Sequence, residues 1–192
     1  ATSCRTFIIE ESYEKYQKLV APFINGLPKS KIQWVYNIFN HTAEESKRIE
    51  YESDAFVLLP DFCWEDLSNT ERIYLLAIVK DKNLRSIRDL NGSHLPILYE
   101  IKKQVTNCLE NTFKQNMNEI SMFFHYHPSF YQLHLHITKK DNIDCHHSRY
   151  HPLSQVIQNI ELVEDYYQKA TLHYTIDENS KLYLALQNNE VV

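Results

Sequence analysis

Glycine and proline are scarce in this sequence, with 2 Gly and 6 Pro among 192 residues. Their scarcity argues against a low-complexity or disordered chain, and the 43% hydrophobic content predicts a globular protein with a real core. The 4 cysteines form no Cys-x-x-Cys pair, so neither a disulfide framework nor a cysteine zinc site is indicated, and we expect reduced thiols in an intracellular protein. The sequence also lacks a membrane-spanning apolar run and a cleavable signal peptide, so no membrane partner is expected.

Positive charge is not in excess either, because the formal net charge is -5. That balance gives no reason to expect DNA or a long RNA as a partner. A single small nucleotide in a local basic pocket is compatible with it. The length of 192 residues suits one domain, or one domain with a small additional piece.

The hydrophobic periodicity predicts helices and strands in alternation. One apolar stripe at spacings of three and four predicts a long amphipathic helix that starts near residues 91–93: Leu98, Ile101, Val105, Cys108, Leu109 and Phe113. A shorter helix is predicted around Leu153, Val156, Ile157 and Ile160. Strand-like segments cover residues 4–10, 48–51, 55–60, 73–80, 120–127, 131–139 and 171–176, and residues 181–187 form a terminal helix or tail. This order predicts an α+β fold with a largely antiparallel sheet.

The most informative segment is the strand at residues 131–138, where polar and apolar residues alternate. Positions two apart on a strand point to the same side, so Gln132, His134 and His136 are expected to share one face. The preceding His125-Tyr-His-Pro-Ser129 adds two more histidines and a hydroxyl group. Such a concentration of titratable groups is typical of a functional site, and its composition favours chemistry on phosphate.

Three interpretations of these histidines are open from the residues alone. They could form a hydrogen-bonded polar face without catalytic function. They could bind zinc, with Cys145, His146 or His147 as further ligands, because two same-face histidines are too few for a zinc site. Finally, a neutral imidazole could attack a phosphate while a second imidazole binds a phosphate oxygen, which needs no metal or other cofactor.

The strand resembles the histidine triad (HIT) superfamily, whose pattern is His-φ-His-φ-His-φ-φ with φ a hydrophobic residue. An ordered set of further motifs resembles the scavenger mRNA-decapping branch of that superfamily. These motifs are QWVYNI at residues 33–38, AE at 43–44, FVLLPD at 56–61, RSIRDL at 85–90, HLP at 94–96, HYHPSFY at 125–131 and the helix around 156–159. The resemblance covers most of the chain, from about residue 32 to about residue 176.

The resemblance implies a HIT-like α+β fold, an antiparallel sheet with a long and a shorter amphipathic helix, in a catalytic domain at residues 31–192. Residues 1–30 would be an N-terminal segment, the remnant of a lid domain or the link to one. It further implies a homodimer, located in the cytoplasm or nucleus, that hydrolyses m7GpppN cap dinucleotides or short capped RNA. The products would be m7GMP and a nucleoside diphosphate.

The resemblance also implies a role for each matching residue. His134 falls on the nucleophile, Trp34 on the aromatic ring that stacks on the methylated base, and Glu44 on the carboxylate that reads the guanine edge. Phosphate contacts are assigned to His136, His125, Ser129 and Arg149, and a nucleotide contact to Asp61. Because N7-methylation makes guanine cationic, an aromatic face gains a cation–π attraction in addition to stacking.

Three features depart from the family pattern. Gln132 occupies the first triad position, where an amide can still donate or accept a hydrogen bond. Cys63 stands where a lysine is expected, and only about thirty residues precede the QWVYNI motif. Two rival functions are therefore kept: a cap- or nucleotide-binding module without catalysis, and a HIT hydrolase of another dinucleotide.

Overall fold

The fold is built on a six-stranded antiparallel sheet in the computed structural model, which describes residues 4–140 and 149–188. The strands of the described chain are β1 (Thr6–Glu11), β2 (Tyr51–Glu52), β3 (Phe56–Pro60), β4 (Tyr74–Val79), β5 (Ile120–His125), β6 (His134–Lys139), β7 (Tyr150–Pro152) and β8 (Leu172–Asp177). The sheet has the order β2-β3-β4-β6-β5-β7, while β1 and β8 form a separate antiparallel pair. Each neighbouring pair in the large sheet is antiparallel, which confirms the predicted α+β class.

Helices connect and cover these strands. They are α1 (Tyr13–Lys15), a π-helical turn (Tyr16–Val20), α2 (Ala21–Asn25), α3 (Gln33–Phe39), α4 (Leu95–Asn111), α5 (Leu153–Leu162) and α6 (Lys181–Asn188). The predicted long and shorter amphipathic helices are confirmed as α4 and α5, whose apolar stripes are buried. Among the described residues, no helix combines the length and the hydrophobicity that crossing a membrane requires.

A capping box sets the start of the 3₁₀ turn Gly92–His94, which leads directly into α4. The side chain of Asn91 accepts a hydrogen bond from the backbone N–H of Ser93, and the ring of His94 accepts one from the backbone N–H of Asn91. The helix ends at Asn111, so the predicted stripe extends too far at Phe113. The ring of Phe113 still packs in the core, with its centroid 5.3 Å from that of Trp64.

The two faces of the large sheet have different partners. Side chains such as Ala77, Leu135 and Ile137 join the main core, to which α4 and α5 contribute. Leu76 and Ile78 point to the opposite face, where they pack with residues of α3. In the β4–β6 register, Leu76 pairs with His136 and Ile78 with His134, and cross-strand partners share a face. The two histidines therefore lie on the face that α3 partly covers.

The N-terminal residues pack onto the same core as the rest of the described chain. All six residues of β1 pair with β8, and Tyr16, Val20 and Ile24 belong to the main core cluster. The assignment of residues 1–30 to a lid remnant or linker stays a prediction.

Two boundaries of predicted strands differ in the structure. Residues 44–48 form a 3₁₀ turn where the sequence predicted a strand start at residue 48, and β6 begins at His134 instead of residue 131.

Candidate active site

His134 opens β6 and is almost fully buried, with 3% of its surface exposed. Its Nδ1 lies 2.8 Å from the backbone carbonyl oxygen of Gln132, and since a carbonyl can only accept, Nδ1 carries the hydrogen. The lone pair is then on Nε2, which makes no hydrogen bond to any residue that the structure describes. Burial lowers the pKa of His134 to about 4, so the ring is neutral near pH 7. This is the state that an imidazole nucleophile needs.

Aromatic rings surround His134 on one side. The ring of Phe130 stacks on the imidazole with centroids 3.8 Å apart and planes 8° apart. Trp34 meets Phe130 edge-on at 4.8 Å, and Phe62 lies 5.8 Å from Trp34 with 54% of its surface exposed. The predicted base platform Trp34 is thus linked to the predicted nucleophile through one intervening ring. The sequence interpretation did not assign Phe62 or Phe130, although the first follows Asp61 and the second lies inside the HYHPSFY motif.

His136 lies next to His134 and can present a hydrogen-bond donor where His134 presents a lone pair. Its ring centroid lies 4.9 Å from that of His134 and 4.3 Å from that of His125. The Tyr74 hydroxyl lies 2.7 Å from Nδ1 of His136. Burial and the neighbouring histidines lower the pKa of His136 to about 2, so this ring is neutral too. When the Tyr74 hydroxyl donates to Nδ1, the hydrogen of the ring is on Nε2, which becomes a donor for a phosphate oxygen.

Gln132 lies just before β6 and is buried. Its Nε2 donates hydrogen bonds to the carbonyl oxygens of Val79 and Asp81, at 2.5 and 2.9 Å. The same residue's backbone carbonyl orients His134. Gln132 therefore ties the start of the histidine strand to the end of β4, which makes it a positioning residue in this geometry.

The remaining predicted phosphate contacts meet at the loop between β5 and β6, where Ser129 belongs to the loop and Arg149 reaches it from the residue before β7. Nε and Nη2 of Arg149 donate to the carbonyl oxygen of His127, at 3.2 and 2.6 Å. Ser129, two residues after His127, is exposed. Ser129 and Arg149 line one cavity of about 680 Å³ together with Phe130, the ring that covers His134. The fold thus brings these predicted residues to the border of the histidine cluster.

A network of buried hydrogen bonds around Glu11 holds the loop between β5 and β6 in place. Nε2 of His127 donates to the carboxylate of Glu11 at 2.8 Å, and Nδ1 of His127 accepts from the Tyr131 hydroxyl at 3.2 Å. The same carboxylate accepts from Nε of Arg88 at 3.1 Å and from the Tyr174 hydroxyl at 2.7 Å. The sequence interpretation missed Glu11, because a single carboxylate in an N-terminal strand carries no signal that it meets a loop 116 residues away.

The two acids predicted to contact the nucleotide lie in turns next to β2 and β3. Glu44 is exposed at the start of the 3₁₀ turn Glu44–Arg48, where its carboxylate pairs with Lys47 at 2.8 Å. Asp61 follows β3 and accepts a hydrogen bond from the backbone N–H of Cys63 at 2.8 Å. Asp61 therefore flanks Phe62, whereas the roles of both acids in binding stay predictions.

The zinc interpretation depended on three further ligands, Cys145, His146 and His147, which lie outside the described residues. Within residues 4–140 and 149–188, no group of three or more His, Cys, Asp or Glu side chains is arranged to hold a metal ion. His134 and His136 instead contact aromatic rings, a backbone carbonyl and the Tyr74 hydroxyl. Their environment is that of neutral, desolvated imidazoles.

Comparison with known proteins identifies the family. The family model described as "Scavenger mRNA decapping enzyme C-term binding" matches residues 33–151. The m7GpppX diphosphatase of Ascaris suum is 35% identical over 191 residues, covering 93% of this chain and 60% of that protein. The human m7GpppX diphosphatase is 34% identical over 186 residues, covering 94% of this chain and 54% of that protein. The chain thus spans somewhat more than half the length of the curated relatives it matches.

Solved structures agree on the fold. The structure titled "Hnt3 in complex with DNA and guanosine" superposes with a TM-score of 0.50 at 17% identity, covering 81% of this chain and 93% of that one. At this identity the likeness concerns the fold alone. It agrees with the α+β fold that the resemblance implies. The chain belongs to the scavenger mRNA-decapping enzyme family and contains the C-terminal region that the family model describes.

Proposed function

We propose that this chain carries the catalytic domain of an m7GpppX diphosphatase. It would hydrolyse the triphosphate bridge of m7GpppN cap dinucleotides, or of short capped oligonucleotides, to m7GMP and a nucleoside diphosphate. The observation that carries the proposal is the state of His134: buried, neutral, oriented through Nδ1 by a backbone carbonyl, and with no hydrogen bond at Nε2 to a described residue. The name of the relatives at 34–35% identity supports the same reaction.

In the first step, the Nε2 lone pair of His134 attacks the phosphorus atom that is attached to 7-methylguanosine. A nitrogen–phosphorus bond forms, and the bond to the bridging oxygen breaks, so that the nucleoside diphosphate leaves with the electron pair. The ring of the intermediate keeps the hydrogen on Nδ1, where the Gln132 carbonyl stabilises the positive charge that develops. Nε2 of His136 donates to a non-bridging oxygen of the reacting phosphate.

In the second step, water attacks the same phosphorus atom and the nitrogen–phosphorus bond breaks. The electron pair returns to Nε2 of His134, one proton of the water goes to solvent, and m7GMP is released. Splitting the displacement into two steps allows one side chain to activate the phosphate without a metal ion. Arg149 and Ser129 bind the phosphate oxygens from the loop side, next to the ring of Phe130.

The base would bind at the aromatic pair of Trp34 and Phe62, whose centroids lie 5.8 Å apart. A cationic methylguanine gains more from these faces than an uncharged guanine does, by about 0.5–2 kcal/mol for one cation–π contact. Glu44 and Asp61 are the carboxylates within the adjoining turns, and a carboxylate accepts hydrogen bonds from N1–H and N2–H of guanine. We further propose a homodimer and a cytoplasmic or nuclear location, where capped RNA is present.

Incubation with m7GpppG and with unmethylated GpppG tests the proposal. We expect m7GMP and GDP from the methylated substrate, a slower reaction with GpppG, and no product from His134→Asn, whose circular dichroism spectrum should match that of the wild type. Saturable cap binding without product would favour the binding module. Cleavage of diadenosine polyphosphates without preference for the methyl group would favour another dinucleotide hydrolase, and loss of activity on chelation would favour the zinc interpretation.

A further inference from the structure

A cavity of about 680 Å³ next to the histidine cluster has an unusual charge. It lies between the turn at residues 28–32, the loop at residues 127–131, β8 and the start of α6. Its lining contains six cationic side chains: Lys29, Lys31, Lys82, Arg85, Arg149 and Lys181. Among the described residues that line it, the one acid is Asp177, so this cavity is strongly positive in a chain whose formal net charge is -5.

Few of these charges are neutralised by neighbours. Arg85 is paired with Asp89, with 3.3 Å between Nε and a carboxylate oxygen, so it contributes little net charge. Lys29 and Lys31 are exposed on the 3₁₀ turn Lys29–Ile32. A concave surface lined by charges of one sign focuses the electrostatic potential and attracts ions of the opposite sign. The expected ligand is therefore an anion, and several separated cations suit one with more than one charged group.

The cavity borders the proposed catalytic site and shares the ring of Phe130 with it. Ser129, Phe130 and Arg149 line it, and Phe130 also stacks directly on His134. A polyanionic substrate that reaches past Phe130 would meet the cavity on the side of Ser129 and Arg149. A volume of about 680 Å³ is within the range of ligand sites, roughly 300–1,000 Å³.

We propose that this cavity binds the RNA on the leaving-group side of the cap, through its 5′ phosphates and the first phosphodiesters. This inference rests on the proposed function and specifies the half of the substrate that the aromatic site does not bind. Lys29, Lys31 and Lys181 contact phosphate oxygens, and the remaining groups contact the ribose and the first base. The consequence is a preference for short capped oligonucleotides over the cap dinucleotide.

Binding of an uncapped oligonucleotide tests this inference independently of catalysis. The probe is a hexaribonucleotide with a 5′ triphosphate and a 3′ fluorophore, followed by fluorescence anisotropy from 25 to 200 mM salt. The cavity variant is Lys29→Ala with Lys31→Ala, and the matched control is Lys102→Ala with Lys103→Ala, which removes the same charge from the exposed face of α4. All four lysines are exposed, so neither variant should disturb folding.

We expect the cavity variant to bind at least about tenfold more weakly at low salt than the wild type. Because each phosphate contact contributes about 0.7 to the salt dependence of log K for single strands, its slope should be shallower by about 1.4. The control should match the wild type, and so should His134→Asn, which keeps the cavity intact. Equal weakening of the two double variants would overturn the proposal.

Two further outcomes separate this inference from its alternatives. If a poly-glutamate peptide of equal charge binds as tightly as the RNA and loses as much affinity in the cavity variant, the cavity is not an RNA site. If the wild type binds the oligonucleotide through Lys29 and Lys31 but releases no m7GMP from m7GpppG, the proposed hydrolysis fails while the RNA site stands. Hydrolysis of m7GpppG without any cavity-dependent RNA binding gives the opposite result.

Discussion

Replacing Glu11 by glutamine should lower the free energy of unfolding by about 3–5 kcal/mol, the usual loss when one partner of a buried ion pair is removed. The Glu11 side chain is fully buried, and so is that of its partner Arg88. Arg88 also donates to the carbonyl oxygens of Tyr167 and Ala170, at 3.0 and 2.7 Å, which hold the guanidinium in place. The variant therefore leaves a buried positive charge without its counter-charge. Glutamine has a similar volume, so no cavity contributes to the loss.

The glutamine would also face the wrong hydrogen-bond partners. Both carboxylate oxygens of Glu11 accept hydrogen bonds, from Arg88, Tyr126, His127 and Tyr174. An amide has a single acceptor oxygen, and its NH₂ group would point at donors. A loss of about 3–5 kcal/mol is a large part of the roughly 5–15 kcal/mol by which domains are usually stable. The variant should therefore fold at 25 °C but unfold at a clearly lower urea concentration.

Urea unfolding at pH 7, followed by circular dichroism at 222 nm, measures this loss as a shift of the midpoint at constant m value. The matched control is Glu10→Gln on the same strand, because Glu10 is exposed and its carboxylate lies 3.7 Å from His173. The control should stay within about 0.5 kcal/mol of the wild type. A loss below about 1 kcal/mol for Glu11→Gln would refute the assignment of Glu11 as the counter-charge of Arg88.

Four further predictions concern the site and its pH dependence. Gln132→Ala should lower kcat/KM for m7GpppG by about 10–100-fold, because a small misplacement of the nucleophile His134 slows the reaction strongly. The change should be larger in kcat than in KM, and an unchanged kcat would contradict the positioning role of Gln132. Trp34→Ala should raise KM for m7GpppG more than for GpppG, and an equal rise would contradict stacking on the methylated base. Burial lowers the pKa of His134 from 6.5 to about 4, so kcat/KM should stay level from pH 8 to about pH 5, whereas an acid limb near 6.5 would contradict a buried nucleophile. The pKa of His134 is lower in the folded protein than in the unfolded chain, so the unfolded chain binds more protons in acid. When the pH falls from 7.5 to 5, His134 alone should therefore lower the free energy of unfolding by about 2 kcal/mol, which urea unfolding at the two pH values measures.

The fold class was readable from the sequence because local patterns decide it. The alternation over residues 131–138 and the apolar stripe on α4 both arise because one face of the element is buried. Burial selects apolar residues at every second position of a strand and once or twice in every turn of a helix. Boundaries were less well predicted: β6 starts at His134, and α4 ends before Phe113. Side-chain hydrogen bonds and packing decide where each helix or strand ends, and the hydrophobic periodicity carries no information about those contacts. The edge strand β7 was not predicted, since three residues carry too little pattern.

The site was predictable only in part. Alternation alone placed His134 and His136 on one face, and the ordered motifs suggested Trp34, Ser129 and Arg149 as members of the same site. The tautomer of His134 was not predictable, because it depends on which carbonyl lies 2.8 Å from Nδ1. The same holds for the covering ring of Phe130, which stacks on the imidazole at 3.8 Å.

The amino-acid sequence thus determined the α+β class, the family and the pair of histidines on β6, because each depends on residue types at short, regular spacing. Only the tertiary structure decided what surrounds them: the Glu11 carboxylate behind the loop of His127, and the cationic cavity that Lys29 and Lys31 share with Arg149. Those contacts join residues more than 100 positions apart. Burial and distance set the pKa values of Glu11 and His127, and neither quantity is written in a local pattern of the chain.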